Sequence, residues 1–230
     1  MPCQALRHPP TSPRSLTRCL LCITLFVSAL PPAAAGSHAP GTFRHHDNWG
    51  SNTVGAIFQH CTGKTGFKAL RDDLGFPPKF ENFEFARDTE FVGEPVSKFP
   101  ADVLELSVRD LARIGLLMAR DGRWEDGQLV SAHWVARSTA SHTTVPGGWQ
   151  GYGCMGWAPP KAWPFWNRTD GDVFFAWGAG GQYFFVNRSR DPVIVHQVDL
   201  SRFFTGDVTR ESIGGLRERI PSAAPEAIER

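Results

Sequence analysis

Residues 172–187 read DVFFAWGAGGQYFFVN, two apolar runs joined through a glycine cluster. A third apolar run, PVIVHQV, follows at residues 192–198. Short apolar runs bounded by Gly, Asn and Asp are typical of β-strands joined by tight turns. Because connections this short cannot hold a parallel crossover, we predict an antiparallel meander with strands near 172–177, 182–187 and 192–198. A last helix at 210–219 is predicted to cover Val193, Val195 and Phe185 on one face of this sheet.

The composition is that of an ordinary globular protein, since 41% of the 230 residues are hydrophobic and 20% are charged. The formal net charge is +1, from 24 basic and 23 acidic residues. This balance leaves no excess of positive charge to neutralise a phosphate backbone, so we predict no nucleic-acid partner. Eight Trp and 17 Phe supply large burial areas, which indicates a filled core or an aromatic-lined cleft.

The first 35 residues have the layout of a secretory signal peptide. Arg7, Arg14 and Arg18 precede an apolar run at 19–30, and the small residues PPAAA follow at 31–35. The apolar run is shorter than the roughly 20 residues that span a bilayer, so we predict no transmembrane segment. We therefore predict a signal peptide at 1–35 and a secreted or periplasmic protein. The alternative is a misplaced start codon, which would make this leader accidental.

Three helices are predicted in the central part of the chain. Residues 52–61 place Val54, Ile57, Phe58 and Cys61 on one face, and Thr62-Gly63 supplies a stop. A second helix spans 107–120, with Ser107 and Asp110 at capping-box spacing. Its predicted buried stripe consists of Val108, Leu111, Ala112, Gly115 and Leu116. A third helix starts after Ser131 with Trp134 and Val135 inward, and a Gly/Pro/Trp-rich loop follows at 145–164.

Two local motifs are weak, and we predict neither a cofactor nor a metal site from them. Residues 151–156 read GYGCMG and match the dinucleotide pattern Gly-x-Gly-x-x-Gly, but WAPP follows and cannot start the helix that this pattern requires. His38, His45, His46 and Asp47 lack a partner at metal-ligand spacing. Cys61 and Cys154 remain after the leader, and their spacing leaves open whether they pair.

Several short segments, taken in order, resemble the serine β-lactamase/penicillin-binding-protein superfamily, in particular its class C-like branch with esterases and 6-aminohexanoate-dimer hydrolases. The segments lie at 40–42, 48–49, 55–58, 62–64, 106–135, 151–153, 156–157 and 176–183. The resemblance implies an α+β, partial β-lactamase/transpeptidase-like fold with an antiparallel C-terminal sheet flanked by helices. It also implies one domain at 36–230, mostly helical and loop at 36–165, with the C-terminal sheet and helix at 166–230.

The resemblance implies three catalytic elements, and two of them have counterparts here. Residues 176–178 read AWG where the family has a Lys-Thr-Gly-like edge strand. Trp177, Gly178, Ala179 and Gly180 are therefore the candidate edge-strand residues, with the Ala179 amide as an oxyanion donor. The Tyr-x-Asn loop corresponds to His46-Asp47-Asn48. The imidazole of His46 could act as a base, and drift after loss of function explains the substitution equally well.

The third catalytic element, a Ser-x-x-Lys helix, has no counterpart, because no serine of this chain is followed three residues later by Lys. Ser15 comes nearest, but Arg18 takes the lysine position and a guanidinium does not deprotonate at working pH. The resemblance therefore predicts an N-terminally truncated serine hydrolase, whose ancestral activity was amide or ester hydrolysis through an acyl-serine and which is inactive as written.

Two alternatives to an inactive hydrolase stay open. The chain could be a secreted, non-enzymatic binding module that uses an aromatic cleft for a peptide-like ligand, a glycan, or a small amide or ester. The candidate binding residues are Trp149, Tyr152 and Trp157, with Trp163, Trp166 and Trp177 in the same cleft. It could also be a fragment of an active hydrolase whose true start lies upstream.

Overall fold

The computed structural model describes residues 37–39, 42–44, 48–74, 79–93, 97–144, 151–154, 156–158, 173–178, 181–188 and 193–199. The predicted leader at 1–35 and the predicted helix at 210–219 lie outside these residues, and the division of the domain at residue 166 stays a prediction. No helix among the described residues is both long and apolar enough to cross a membrane.

The described residues form five helices and ten strands. The helices are α1 Asn48–Thr62, α2 Gly66–Asp72, α3 Phe85–Asp88, α4 Val108–Ala119 and α5 Ala132–Ser138. The strands are β1 Thr89–Val92, β2 Ala101–Leu104, β3 Arg123–Trp124, β4 Gly127–Gln128, β5 Thr143–Thr144, β6 Gly151–Gly153, β7 Gly156–Ala158, β8 Val173–Gly178, β9 Gln182–Asn187 and β10 Val193–His196.

Six of these strands form one sheet in the order β10-β9-β8-β7-β6-β5. Each strand pairs antiparallel with the next one along the chain, so the sheet is a meander. The α+β class and the antiparallel C-terminal sheet are confirmed. Two further antiparallel pairs, β1-β2 and β3-β4, lie outside this sheet.

The predicted loop at 145–164 is wrong for β6 and β7, which lie within it and extend the sheet. Each strand has only three residues, too few for an alternating pattern to be recognised. Their glycines make close contacts that a side chain would prevent. A Cβ at Gly151 would lie 2.0 Å from Ser141 Oγ, and one at Gly153 would lie 2.4 Å from the Ala140 carbonyl oxygen.

The two faces of the sheet bury different side chains, because residues along a strand alternate between faces. Phe184 and Val195 pack against the cluster of Phe80, Leu106, Leu111 and Leu117, which includes the α4 side chains. The opposite face carries a second cluster formed by Val173, Phe175, Phe185, Trp157 and Ile194. The prediction that Phe185 shares a face with Val195 is therefore wrong: Phe185 pairs with Ile194, whereas Val195 pairs with Phe184.

Helix α4 matches the prediction in its limits and its cap, and differs in part of its buried stripe. Ser107 Oγ accepts a hydrogen bond from the Asp110 amide at 3.1 Å, which satisfies one of the free N–H groups at the helix start. Leu111 and Gly115 are buried as predicted, but Val108 is 38% exposed. Leu117, 2% exposed, is buried more deeply than its neighbour Leu116. Burial of one such leucine contributes about 1.5–3 kcal/mol to folding.

Helices α1 and α5 form where predicted, but some of their apolar side chains face solvent. In α1, Val54 is 55% exposed and Ile57 is 57% exposed, while the polar Asn52 is buried and donates from Nδ2 to the Phe99 carbonyl oxygen at 3.2 Å. In α5, Val135 is buried as predicted but Trp134 is 50% exposed. The predicted apolar face of α1 is therefore largely exposed, and the inward position of Trp134 is wrong, because helical spacing does not show which side of a helix has neighbours.

Asp102 on β2 makes stability depend on pH. Its carboxylate lies beside two glycines, and a Cβ at Gly66 would be 3.0 Å from Oδ2. Asp102 is exposed as a residue, but partial desolvation of its carboxylate against this surface raises its pKa above the ordinary value. The folded state then binds the proton more tightly than the unfolded state, so stability falls as pH rises through the interval between the two pKa values.

We therefore expect Asp102→Asn to raise the melting temperature at pH 7. At a pH of about 2.5, below the ordinary pKa of an aspartate, Asp102 is protonated in both states and the gain should vanish. Thermal melts at the two pH values measure this difference, with Asp126→Asn, at another exposed carboxylate, as a control. An equal gain at both pH values would contradict the prediction.

Candidate functional site

The candidate site lies on the sheet face opposite α4, where side chains form a row across six strands. Residues that pair directly across neighbouring strands project to the same face. The backbone register therefore aligns Thr143, Tyr152, Trp157, Phe175, Phe185 and Ile194. Phe175 and Phe185 are each 4% exposed, so the middle of the row belongs to the core. Tyr152 and Trp157 are only partly buried and form the accessible part.

The hairpin of β6 and β7 positions the two accessible rings. Gly153 pairs with Gly156, and Cys154 in the connecting turn has a φ of 46°, a left-handed conformation that non-glycine residues adopt rarely. This tight turn aligns Tyr152 with Trp157, whose rings lie 5.1 Å apart at 77°. The Trp157 ring in turn lies 6.2 Å from Phe175 at 7°, which anchors it to the core. Tyr152 and Trp157, both predicted as binding residues, are thus brought together.

Arg44 covers these two rings and was missed in the sequence. Its guanidinium carbon lies 4.5 Å from the centre of the Tyr152 ring and 4.3 Å from that of Trp157. Both distances are within the range of a cation–π interaction. The Arg44 Nε is buried and has no hydrogen-bond partner. The only sequence signal was a single basic side chain two positions before His46, which is too common a feature to indicate a site.

The structure positions the remaining predicted site residues only in part. Asn48 is the first residue of α1, at its N-terminal end. Trp177 and Gly178 close β8, opposite Tyr183 and Gln182 of β9. His46, Trp149, Ala179 and Gly180, together with Trp163 and Trp166, lie outside the described residues. The oxyanion role of Ala179 and the base role of His46 therefore stay predictions.

Two side chains hold the start of β9 to the chain at and just after β10. His196 Nδ1 donates a hydrogen bond to the Gly181 carbonyl oxygen at 2.9 Å, since a carbonyl can only accept. The Gln182 side chain makes two hydrogen bonds with the backbone of Val198. Its Nε2 donates to the Val198 carbonyl oxygen at 2.7 Å, and its Oε1 accepts from the Val198 amide at 3.2 Å. Gly181 has a φ of 84°, the left-handed conformation that glycine permits. These contacts fix the start of β9. Its partner β8, predicted as an edge strand, lies between β7 and β9 in the described sheet, so the edge position is wrong.

No metal-binding arrangement appears in the described part of the chain, where no group of three or more His, Cys, Asp or Glu side chains could hold an ion. Cys61 and Cys154 are both exposed and unpaired, so the open question of their pairing is answered. His38 stacks on Phe43 with ring centres 3.9 Å apart. What the described site offers is therefore an aromatic surface with a single cation above it.

Comparison with known proteins relates the chain to solved hydrolases. No family model and no curated protein matches the sequence. The structure is similar to a Bacillus anthracis protein assigned as a 6-aminohexanoate-dimer hydrolase, with a TM-score of 0.50 and 17% identity over 80% of this chain and 47% of that chain. It is also similar to a Bacteroides dorei DSM 17855 protein assigned as a β-lactamase, with a TM-score of 0.50 and 17% identity over 74% of this chain and 59% of that chain.

The chain thus spans about half the length of these two proteins, 47% of one and 59% of the other. At 17% identity the likeness concerns the fold, which is the one that the sequence resemblance implied. In the described residues the β6-β7 hairpin is part of the antiparallel meander, and helix α4 packs on this sheet. The chain therefore has the fold of the serine β-lactamase-like hydrolases.

Proposed function

We propose that this protein binds a small amide or ester on the surface formed by Tyr152 and Trp157, and that it forms no acyl-serine with its own residues. The observation that carries the proposal is the arrangement of two aligned aromatic rings under Arg44 in a hydrolase fold. The absence of any Ser-x-x-Lys spacing in the 230 residues supports the second half. The ancestral reaction is amide or ester hydrolysis, as in β-lactamase-related enzymes.

The chemical argument concerns the nucleophile. A serine hydroxyl is a poor nucleophile until an adjacent base takes its proton. No serine here has a lysine at helical spacing. Oxyanion donors and substrate binding can still accelerate a reaction, by roughly 10³ to 10⁴ in a serine protease without its triad. Slow turnover without a covalent intermediate is therefore compatible with this sequence, whereas a burst of acyl-enzyme is not.

Two other functions have specific support. A secreted binding module, exported by a signal peptide at 1–35, is favoured by the contact between Tyr152 and Trp157, which needs no catalytic group. A fragment of an active hydrolase is favoured by the coverage of 47% and 59% of the solved proteins. An in-frame Ser-x-x-Lys segment in the genomic DNA upstream would favour the fragment over the module.

Active-site labelling tests the proposed absence of an acyl-serine. We expect no covalent labelling of the purified full chain by a fluorophosphonate or a fluorescent penicillin, because no serine has a lysine three residues later to act as its base. We also expect His46→Ala to leave any weak esterase activity unchanged. The measurement is intact-protein mass spectrometry after incubation, with an active serine β-lactamase as the positive control. Stoichiometric labelling of one serine would refute the proposal and identify the nucleophile.

A further inference from the structure

Arg44 differs from the two other partly buried arginines of the described chain in having no anionic partner. Arg113 pairs with Glu81, and Arg188 pairs with Asp121. Arg44 has no ion pair or hydrogen bond among the described residues, and its Nε is buried without an acceptor. A guanidinium carries five N–H donors and no acceptor. Burying one of these donors unpaired is unfavourable, and the terminal N–H groups also have no acceptor among the described residues.

The surroundings of Arg44 hold its guanidinium in place without satisfying its donors. The Tyr152 and Trp157 ring centres lie 4.5 Å and 4.3 Å from its central carbon, and the two rings stand at 77° to each other. The cation therefore lies in the angle between the rings. Ring faces attract the charge but provide no in-plane oxygen. Because Trp157 is anchored on the buried Phe175, the position of the cation is set by the core of the sheet.

We propose that Arg44 is the receptor for a carboxylate on the small-molecule ligand, a role that rests on the proposed binding of an amide or ester at this surface. Nε is buried, but Arg44 as a whole is only partly buried, so a ligand from solvent would pair with its terminal Nη groups. A carboxylate is planar and offers two oxygens at the spacing of two guanidinium N–H groups, which gives a bidentate pair. The aromatic rings beside it suit the apolar part of the same ligand. The substrate class is thus an amide or ester that carries a free carboxylate.

A purely structural role for Arg44 makes a different prediction. If the side chain only stabilises the two rings, its replacement changes the melting temperature and has the same effect on neutral and anionic ligands. If it binds a carboxylate, its replacement affects the anionic ligand selectively. The electrostatic part of the affinity also decreases with rising salt concentration. Selectivity for charge therefore separates the two roles.

The experiment is isothermal titration of the purified full chain with N-acetylglycine, which has a carboxylate, and with N-acetylglycinamide, which is neutral and of the same shape. We expect the acid to bind about tenfold more tightly than the amide, and Arg44→Gln to remove this difference. Arg44→Lys should keep part of it, because an ammonium retains the charge but not the bidentate geometry. Arg137→Gln changes an exposed arginine of α5 that has no ion pair among the described residues; it is the matched control and should change neither affinity.

The possible results of the titrations distinguish failure of the carboxylate receptor from failure of the proposed function. Equal affinity for acid and amide, an unchanged preference in folded Arg44→Gln, or equally tight binding of inorganic phosphate overturns the carboxylate receptor and leaves the proposed function standing. Failure of both probes to bind the wild-type chain overturns the proposed binding of small amides itself. A thermal melt of each variant verifies folding, and should Arg44→Gln not fold, the acid-to-amide ratio in Arg44→Lys decides.

Discussion

The Asp110→Ala variant is expected to lose about 3–5 kcal/mol of folding free energy, because the mutation leaves several buried donors unpaired. Asp110 is 0% exposed. One carboxylate oxygen accepts from the Glu81 amide at 2.6 Å, and the other accepts from the Asn82 amide at 3.1 Å and from Ser107 Oγ at 2.9 Å. These bonds join the first turn of α4 to the segment at 81–82. A domain has a total stability of about 5–15 kcal/mol, so the loss is a large part of it.

Urea unfolding of Asp110→Ala and two comparison variants measures this effect. Asp110→Asn keeps the shape of the side chain but loses the charge and one acceptor, so we expect a smaller loss of about 1–3 kcal/mol. Asp126→Ala removes an exposed carboxylate and should stay within about 0.5 kcal/mol of the wild type. A loss below about 1 kcal/mol of folding free energy for Asp110→Ala, with an unchanged m-value, would show that the carboxylate contributes little to holding α4 against the segment at 81–82.

Gly122→Ala is the second change with a large expected effect, a loss of about 3 kcal/mol or more of folding free energy. Backbone strain and a steric clash of the added Cβ both contribute to it. Gly122 has a φ of 80°, which side chains disfavour. A Cβ there would lie 1.9 Å from the Val130 carbonyl oxygen. That oxygen belongs to the backbone and cannot rotate away. The Gly122 amide donates to the Leu117 carbonyl oxygen at 2.8 Å and so closes the end of α4, and a shift of the chain would break this bond.

A glycine nearby in the same hairpin provides the control. Gly127 has ordinary space around it, since the nearest neighbour of an added Cβ would be the Trp124 carbonyl oxygen at 3.7 Å. We expect Gly127→Ala to change stability by less than about 1 kcal/mol, whereas Gly122→Ala should lower the midpoint of urea unfolding clearly. Similar midpoints for the two variants would mean that the chain around Val130 moves aside at little cost.

The sequence predicted correctly those helices and strands that are specified by neighbouring residues, such as caps, stops and short apolar runs. The cap at Ser107, the helix stop at Gly63 and strand β9 at 182–187 depend on backbone bonds and on spacing within a few residues. Alternation of side chains and short connections were sufficient to predict the antiparallel meander of β8, β9 and β10. Tyr152 and Trp157 were predicted as binding residues; the structure brings their rings together, and the binding role stays a prediction.

Which side of each helix or strand is buried depends on contacts between residues that are far apart in the sequence. The spacing of apolar residues predicted an apolar stripe on α1. In the structure the polar Asn52 of α1 is buried and bonded to the Phe99 carbonyl oxygen, whereas the apolar Ile57 is exposed. Arg44 lies more than 100 positions before the rings that it covers, and no spacing rule connects it to them. Local order specifies hydrogen bonds within one element, whereas the assembly of a site requires the register of β6, β7 and β8, which emerges only when the strands pair.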